Sequence, residues 1–178
     1  MKKSAKIQHT TCILSLLLSP LLASSQQQLE IKGVRVNHLA DCQYISSLET
    51  RTGTLAKSCE NKVPGFFTQI TFLDGTSSMY IKQDQNSIIT DILVSKFSFS
   101  QAYDAFVIKY GNGKKKESIV QNKMGATFDQ VEVVWEDENS YLTLSKHGSR
   151  LDEPLLYLTS KKAMKDHADR RKEAAGNI

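Results

Sequence analysis

Alternation of apolar and polar side chains with a period of two constrains this chain more than any other feature. The first alternating segment covers 66–72, and Asp74-Gly75 follows it as a strong hairpin signal. The chain then returns, turns again near Gln85-Asn86 and continues as another apolar segment over 88–97. Successive side chains of a strand point to opposite faces of a sheet, so an alternating segment has one apolar face. These residues predict three antiparallel strands in succession.

A second group of strands is predicted in the C-terminal half, at 115–122, 130–136, 141–146 and 155–160. In the second of these segments, Val131, Val133 and Trp135 alternate with polar residues, which is typical of a sheet with one face in water. Gly125 interrupts the pattern ahead of them and indicates a bulge or a close approach between backbones.

The residues ahead of the first strand have helical periodicity. Apolar residues recur every four positions over 38–48, and Asn37 has the side chain of a helix N-cap. The following residues, 49–65, contain two glycines, a proline and several small polar side chains, which predict an irregular loop. We therefore expect one helix and one long loop before the sheet begins.

Two further helices are predicted later in the chain. Ser98 and Gln101 have the spacing of a capping box, and apolar side chains follow at helical spacing. Gly111 ends this segment at a position where a positive φ is favoured. Residues 161–175 predict a polar helix, because they contain too few apolar side chains to anchor it firmly.

The order of predicted elements is a helix and three strands, then a helix and four strands, then the polar helix. We therefore expect an α+β protein whose helices pack on one face of an antiparallel sheet. A single domain is predicted over 26–160, built from two helix-plus-antiparallel-meander halves at about 30–97 and 98–160. Residues 161–178 are predicted to form a polar helical tail.

The first 25 residues have the composition of a cleavable secretory signal. Lysines at positions 2, 3 and 6 precede an apolar run over 13–22, and Ala23-Ser24-Ser25 supplies the small residues of a cleavage site. A membrane span needs about 20 apolar residues, so this run is too short to be one. Cys12 precedes the apolar run and therefore cannot be a lipidated cysteine. We expect cleavage near Ser25 and a periplasmic protein that does not span a membrane.

Removal of this segment changes the charge balance. It carries three lysines and no acids, so 23 basic and 19 acidic side chains become 20 and 19, and the net charge falls from +4 to +1. Nucleic-acid binding depends on excess positive charge, so this class of function is not expected. The residues at 161–173 have a net positive charge, so weak contact of this tail with an anionic surface is the one electrostatic interaction expected.

Two cysteines remain after the leader, Cys42 and Cys59, and an even pair in an exported protein predicts a disulfide. The closed loop of 17 residues would stabilise the fold by about 3 kcal/mol. A metal site is the alternative, because His38 and Cys42 are four residues apart and Asp41 lies beside them. We predict the disulfide, with no metal and no cofactor.

No pattern of catalytic residues stands out in the chain. The G-x-S-x-G motif of a nucleophilic serine is absent. The three histidines after the leader, His38, His147 and His167, fall on different predicted elements. The acids at 136–138 lie in a predicted hairpin turn, where a solvated loop is expected. We therefore predict no catalytic residues.

The segment at 121–128 (QNKMGATF), the strand with Trp135 and the stretch at 142–150 resemble a set of small exported proteins of Gram-negative bacteria. The order of elements, with export and a disulfide between the first helix and the following loop, resembles the fold of the outer-membrane assembly protein BamE (SmpA/OmlA) and of the β-lactamase inhibitor proteins. That resemblance implies a role in holding partner proteins, with no catalytic residues. The lipid-anchor cysteine of BamE is missing here, so outer-membrane tethering is not implied.

The predicted function is a non-catalytic protein-binding or envelope-assembly module that presents a sheet face and its edge loops to another periplasmic or envelope protein. The candidate contact residues are the aromatic side chains Tyr80, Trp135, Tyr141 and Tyr157, with Lys146, His147 and Arg150 around them. Met124, Phe128 and Tyr141 could add an exposed apolar lip, although core packing is favoured for Phe128. The oligomeric state stays open.

Two alternatives to this binding function remain. An inhibitor of a periplasmic enzyme, such as a β-lactamase or a cell-wall hydrolase, would use Asp74-Gly75 or the turn at 137–139 as a plug. An enzyme would need a pocket in which His38 or His147 meets a carboxylate.

Overall fold

A computed structural model describes residues 27–50, 55–148 and 150–176. The predicted leader at 1–25 lies outside the described residues, as does Ser149. Within the part that is described, no helix is both long and apolar enough to cross a membrane.

Within the described residues, seven antiparallel strands form one sheet in the order β1-β2-β3-β7-β6-β5-β4. Their bounds are β1 Gly65–Phe72, β2 Gly75–Gln83, β3 Ile89–Ser95, β4 Lys114–Gln121, β5 Thr127–Glu136, β6 Ser140–Ser145 and β7 Leu155–Ser160. The predicted strands are confirmed, and so is the α+β class. The pairing of β3 with β7 joins the two groups of strands and places Leu93 opposite Tyr157.

Four helices occur in the same part of the chain, namely α1 Cys42–Ser47, α2 Leu55–Glu60, α3 Phe99–Tyr110 and α4 Lys161–Gly176. The two later helices are confirmed. The Ser98 hydroxyl accepts the backbone N–H of Gln101, as a capping box requires. The Gln101 side chain, however, donates to Asp74 Oδ2 at 3.1 Å, so the reciprocal half of the box is replaced by a tertiary contact. Gly111 ends α3 with a φ of 76°.

The first helix begins later than predicted, because the residues ahead of it bond to the turn between β2 and β3. The backbone N–H of Ala40 donates to the carbonyl of Ser87 at 2.8 Å. The carbonyl of His38, which would accept a backbone N–H four residues later in a helix, instead accepts that of Ile89 at 2.9 Å. The helix therefore starts at Cys42, with Asp41 in place of Asn37 as its N-cap.

The disulfide between Cys42 and Cys59 is confirmed, with Cα atoms 5.5 Å apart. The prediction of an irregular loop over 49–65 is only partly right, because α2 lies within these residues. Leu55, Ala56, Lys57 and Glu60 are good helix formers, and Cys59 is buried and covalently bonded to α1. Because Cys42 is in the disulfide, it cannot supply a thiolate to the alternative metal site with His38 and Asp41.

One face of the sheet, the inner face, carries the core. Its fully buried side chains are Met79, Ile81, Ile92, Val94, Leu142, Leu144, Leu156 and Leu158. Phe106 of α3 packs here against Trp135, with ring centroids 5.7 Å apart. Leu29, Ile31 and Val34 of the N-terminal segment join the same core. The opposite side of the sheet is the outer face.

Gly125 lies in the turn between β4 and β5, so the predicted bulge is wrong. Asn122 Oδ1 accepts the backbone N–H groups of Met124 and Ala126, which closes the turn. Gly125 has a φ of 90°, a conformation that glycine adopts without steric cost. A turn between two strands and a bulge within one strand both favour glycine, which explains why the pattern did not separate them.

Asp137 connects the N-terminal segment to the turn between β5 and β6. Its Oδ2 accepts the backbone N–H of Leu29 at 2.8 Å, and its Oδ1 accepts that of Ser140 at 2.6 Å. Burial by itself raises the pKa of Asp137, but hydrogen bonds from Leu29, Ser140 and Asn139 outweigh it and hold the pKa below its ordinary value. This acid is therefore an internal bonding group, not part of a solvated turn.

Replacement of Asp137 by asparagine is expected to lower the free energy of unfolding by about 2 kcal/mol at neutral pH, because an amide is a weaker acceptor than a carboxylate. A lowered pKa means that the stabilisation is present above the unfolded pKa of about 4 and is lost as the pH falls through the folded pKa. Urea unfolding from neutral pH to about pH 2 should show the difference shrinking. Glu138→Gln, at the exposed neighbour, is the matched control, and a difference that persists in acid would contradict the assignment.

Candidate functional site

The outer face carries a row of large side chains across four neighbouring strands. Phe67 lies opposite Tyr80, Tyr80 opposite Leu93, and Leu93 opposite Tyr157. We call these four residues the outer row. Directly opposite side chains of an antiparallel sheet are within contact distance, so the row is continuous. Phe67 is its least covered member, with 74% of its surface exposed.

The aromatic end of the outer row is built around a glycine. The rings of Phe67 and Tyr80 have centroids 4.5 Å apart. The Tyr80 ring lies over Gly65, where an added Cβ would meet the tyrosine oxygen at 1.9 Å. Gly65 is therefore needed for this arrangement, and it brings the Tyr80 ring against Phe67.

A groove of about 220 Å³ runs beside the outer row. Phe67, Tyr80, Leu93 and Leu155 form its apolar floor, and the loop between β6 and β7 forms one wall. In that wall the largely exposed Arg150 guanidinium lies 3.6 Å from Glu153. Small-molecule pockets usually measure about 300–1,000 Å³, so this groove has room for one or two side chains.

The loop that forms this wall is held to β5 by Gln130. The Gln130 amide donates to the carbonyl of His147 at 2.7 Å and accepts its backbone N–H at 2.9 Å. The His147 ring lies near Phe128, with centroids 5.9 Å apart, and its Nδ1 contacts the carbonyl of Leu151. The position of Arg150 therefore depends on a buried amide, not on the loop alone.

A buried acid lies under the other end of the outer row. Asp91 is 2% exposed, and its Oδ1 accepts the Tyr157 hydroxyl at 2.6 Å and the Thr159 hydroxyl at 2.7 Å. Burial, and next the hydrogen bond with Asp91, raise the pKa of Tyr157 to about 12. The Lys82 ammonium lies 3.8 Å from the second carboxylate oxygen. Tyr157 is thus fixed as part of the sheet surface.

The structure brings some of the predicted contact residues together and separates others. Tyr80 and Arg150 both line the groove, and Tyr157 belongs to the outer row. Tyr141 is also on the outer face, where it lies opposite Thr159, but it does not line the groove and lies under the Lys161 ammonium. His147 supports the wall of the groove, and Lys146 is exposed in the same loop without lining it.

Trp135 is not a surface contact residue, which corrects the prediction. It is 4% exposed on the inner face, where its Nε1 donates to the carbonyl of Gly111 at 2.8 Å. Trp135 alternates in phase with Val133, and both side chains point into the core. Strand alternation predicts that both share a face, but only the tertiary structure shows which face is covered.

The apolar lip suggested for Met124, Phe128 and Tyr141 does not exist as one surface. Met124 is 91% exposed at the tip of the β4–β5 hairpin. Phe128 is half-buried beside His147, whereas Tyr141 lies at the opposite end of the paired part of β5. The predicted preference for core packing of Phe128 is therefore only partly met.

Sequence reasoning missed Phe67, Leu93 and Leu155, which form most of the apolar floor of the groove. A signal was present for Phe67, because it places a large apolar side chain at a position of the 66–72 segment that the alternation predicts to be polar. Such residues on the water-facing side of a strand indicate a contact surface. That they lie in one row depends on strand order.

The residues named for the alternative functions lie elsewhere. His38 Nε2 is 3.1 Å from the Gln28 amide, and Asp74 receives the Gln101 side chain. Asp137 is engaged internally, so its carboxylate is not presented as a plug. In the described ranges, no group of three or more His, Cys, Asp or Glu side chains is arranged to hold a metal ion.

Comparisons of this chain with protein-family models, with curated proteins and with solved structures find no match.

Proposed function

We propose that this protein is exported to the periplasm without residues 1–25 and acts there as a non-catalytic module that binds another envelope protein. The observation that carries this proposal is the exposed Phe67 ring at the edge of an apolar groove with a charged wall. Central aromatic anchors within a polar rim are typical of protein-binding sites. The order of elements and the disulfide between Cys42 and Cys59 support the proposal, since they resemble those of BamE-like proteins, which hold partner proteins. Two helix-plus-meander halves are proposed here for about 30–97 and 98–160.

The shape and charge of the groove define what it can accept. Its volume of about 220 Å³ suits an apolar side chain from an extended or looped segment of the partner. Arg150 has only a long contact to Glu153, at 3.6 Å, so its guanidinium is free to bind a carboxylate of the partner. We therefore propose a partner segment that carries an aliphatic or aromatic side chain next to an acidic one.

Selection of random peptides displayed on phage against the mature protein is expected to enrich this combination of side chains. Phe67→Ala should then weaken binding of the enriched peptides by about tenfold or more, because truncation of an interface anchor costs at least 1–2 kcal/mol. Thr71→Ala is the matched control, since Thr71 is exposed on the same strand and face. Peptides without an acidic residue, or an affinity unchanged by Phe67→Ala, would contradict the proposal.

Capture in the native compartment tests the same surface with the natural partner. A photo-crosslinking phenylalanine analogue at position 67 should yield one protein adduct in periplasmic extract, and the same analogue at position 71 should yield little. The captured protein, once purified, should lose affinity for the Phe67→Ala variant and keep it for Thr71→Ala. Equal adducts from both positions would show that Phe67 is not the contact.

A further inference from the structure

One face of helix α4 is attached to the sheet. The Ser160 hydroxyl accepts the backbone N–H of Ala163, whose side chain is buried. One turn later His167 Nε2 lies 3.3 Å from the Lys82 ammonium of β2, and Arg170 contacts the other ring nitrogen at 2.9 Å. Positions 163 and 167 lie one helical turn apart, so they define the attached face, with the exposed Arg170 beside it.

The remaining charges of α4, except that of Lys162, are sorted by sign around the helix. At about 100° per residue, the three acids Asp166, Asp169 and Glu173 fall within one strip about 60° wide, together with the single cation Lys162. A different strip, about 120° wide, contains Lys161, which pairs with Glu136, and six further residues, Met164, Lys165, Ala168, Arg171, Lys172 and Ala175. We call these six residues the basic strip. Its cations border a line of small or apolar side chains.

The basic strip has no partner within the described part of the chain. All six residues are exposed, and Met164 has 52% of its surface in solvent. Lys165, Arg171 and Lys172 form none of the ion pairs found among the described residues, whereas Lys161 of the same helix pairs with Glu136 at 2.8 Å. Three positive charges therefore remain uncompensated beside an exposed thioether.

A helix with this pattern suits the interface of a bilayer that contains anionic lipids. Lys and Arg can place their charges among headgroups while their methylene chains lie along apolar surface. Residues 161–173 have a net charge of +3, against +1 for the whole chain after the leader, so the attraction is local to α4. One methionine and two alanines are too few to bind a neutral bilayer, and the charges must contribute most of the affinity.

We propose that α4 lies on a surface of anionic lipid headgroups through the basic strip. This inference does not depend on the groove, because α4 is attached by its other face. Cosedimentation with vesicles measures it directly, using neutral phosphatidylcholine alone and phosphatidylcholine with a third of anionic phosphatidylglycerol. Binding is expected only to the anionic vesicles and should weaken as salt is added.

The triple variant Lys165→Gln, Arg171→Gln, Lys172→Gln should bind anionic vesicles on the order of 100-fold more weakly, because each cation near an anionic surface contributes roughly fivefold. Lys62→Gln, Lys116→Gln, Lys123→Gln is the matched control, since it removes the same charge at exposed sites on other elements. The control should stay within about threefold of the wild type. Equal losses in both variants would show that net charge alone drives binding, and would overturn the proposal.

Met164 distinguishes a lipid surface from a soluble polyanion. Met164→Ser should weaken vesicle binding by roughly threefold to fivefold, since less apolar area leaves water, and should not change binding to dextran sulfate. Two results together would overturn the lipid assignment: vesicle binding that does not change in Met164→Ser, and an equal affinity for dextran sulfate. The basic strip would then be a binding site for a soluble polyanion. Phe67→Ala should leave vesicle binding intact, so a failure of the groove proposal can be distinguished from a failure of the lipid proposal.

Discussion

Replacement of Asp91 by alanine is expected to lower the free energy of unfolding by about 3 kcal/mol. The substitution leaves the buried hydroxyls of Tyr157 and Thr159 without their acceptor and removes the counterion of Lys82. Breaking a buried ion pair typically costs about 3–5 kcal/mol, and Lys82 is exposed enough to regain water, which places the expected loss at the low end. Asp91 is therefore expected to be the most sensitive polar residue of the outer face.

Urea unfolding followed by the fluorescence of Trp135, the single tryptophan, measures this effect. Asp91→Asn should lower the free energy of unfolding by about half as much as Asp91→Ala, because the amide oxygen still accepts a hydrogen bond but carries no charge. Asp129→Ala removes an exposed acid from another strand of the sheet and should change the free energy of unfolding by less than about 0.5 kcal/mol. A loss for Asp91→Ala as small as that of this control would refute the structural role of the cluster.

Alkaline unfolding gives a second readout of the same cluster. Burial, with the hydrogen bond that the Tyr157 hydroxyl donates to Asp91, raises the pKa of Tyr157 from 10.0 to about 12. A raised pKa means that the stabilisation is present below the unfolded pKa and is lost as the pH rises through the folded pKa. Stability should therefore fall between about pH 10 and pH 12 in the wild type, and less steeply in Tyr157→Phe.

Removal of the disulfide is expected to lower the free energy of unfolding by about 3 kcal/mol. The unfolded chain gains entropy because a loop of 17 residues is no longer closed. The disulfide also joins α1 to α2, and neither helix, at six residues each, is long enough to be stable alone. The variant Cys42→Ser, Cys59→Ala tests this while avoiding a buried hydroxyl at the more deeply buried position.

Dithiothreitol provides the control for the disulfide prediction. It should lower the free energy of unfolding of the mature wild type to that of the double variant and leave the variant unchanged. Thiol labelling after denaturation should find two reactive cysteines only in the reduced wild type. Stability that does not respond to reduction would mean that the remaining contacts of Cys59 hold the segment without the covalent bond.

The regular elements with strong local signals could be predicted from the sequence. The hairpin at Asp74-Gly75 and the helix between Ser98 and Gly111 depend on neighbouring residues, and both were found where the pattern placed them. The helix expected over 38–48 was shortened because its first residues bond to the β2–β3 turn. Local periodicity contains no information about such a distant partner.

The candidate site could be predicted only in part. Tyr80, Tyr157 and Arg150 were singled out as aromatic and charged side chains, and they lie on or beside the outer row. Trp135 satisfied the same criteria and is buried, because the phase of its strand places it on the covered face. Phe67 was missed although it breaks the alternation of its strand, because only strand pairing shows that it lies opposite Tyr80 and beside the groove.

The sequence by itself determined the strand periodicity, the turn residues, the helix cap and the pair of cysteines, because each depends on chemistry between near neighbours along the chain. The tertiary structure alone decided that β3 pairs with β7, which face of the sheet is covered, and that the β6–β7 loop forms a wall beside Phe67. These features join residues that are far apart in sequence, and their free energy depends on packing and strand order that no local pattern encodes.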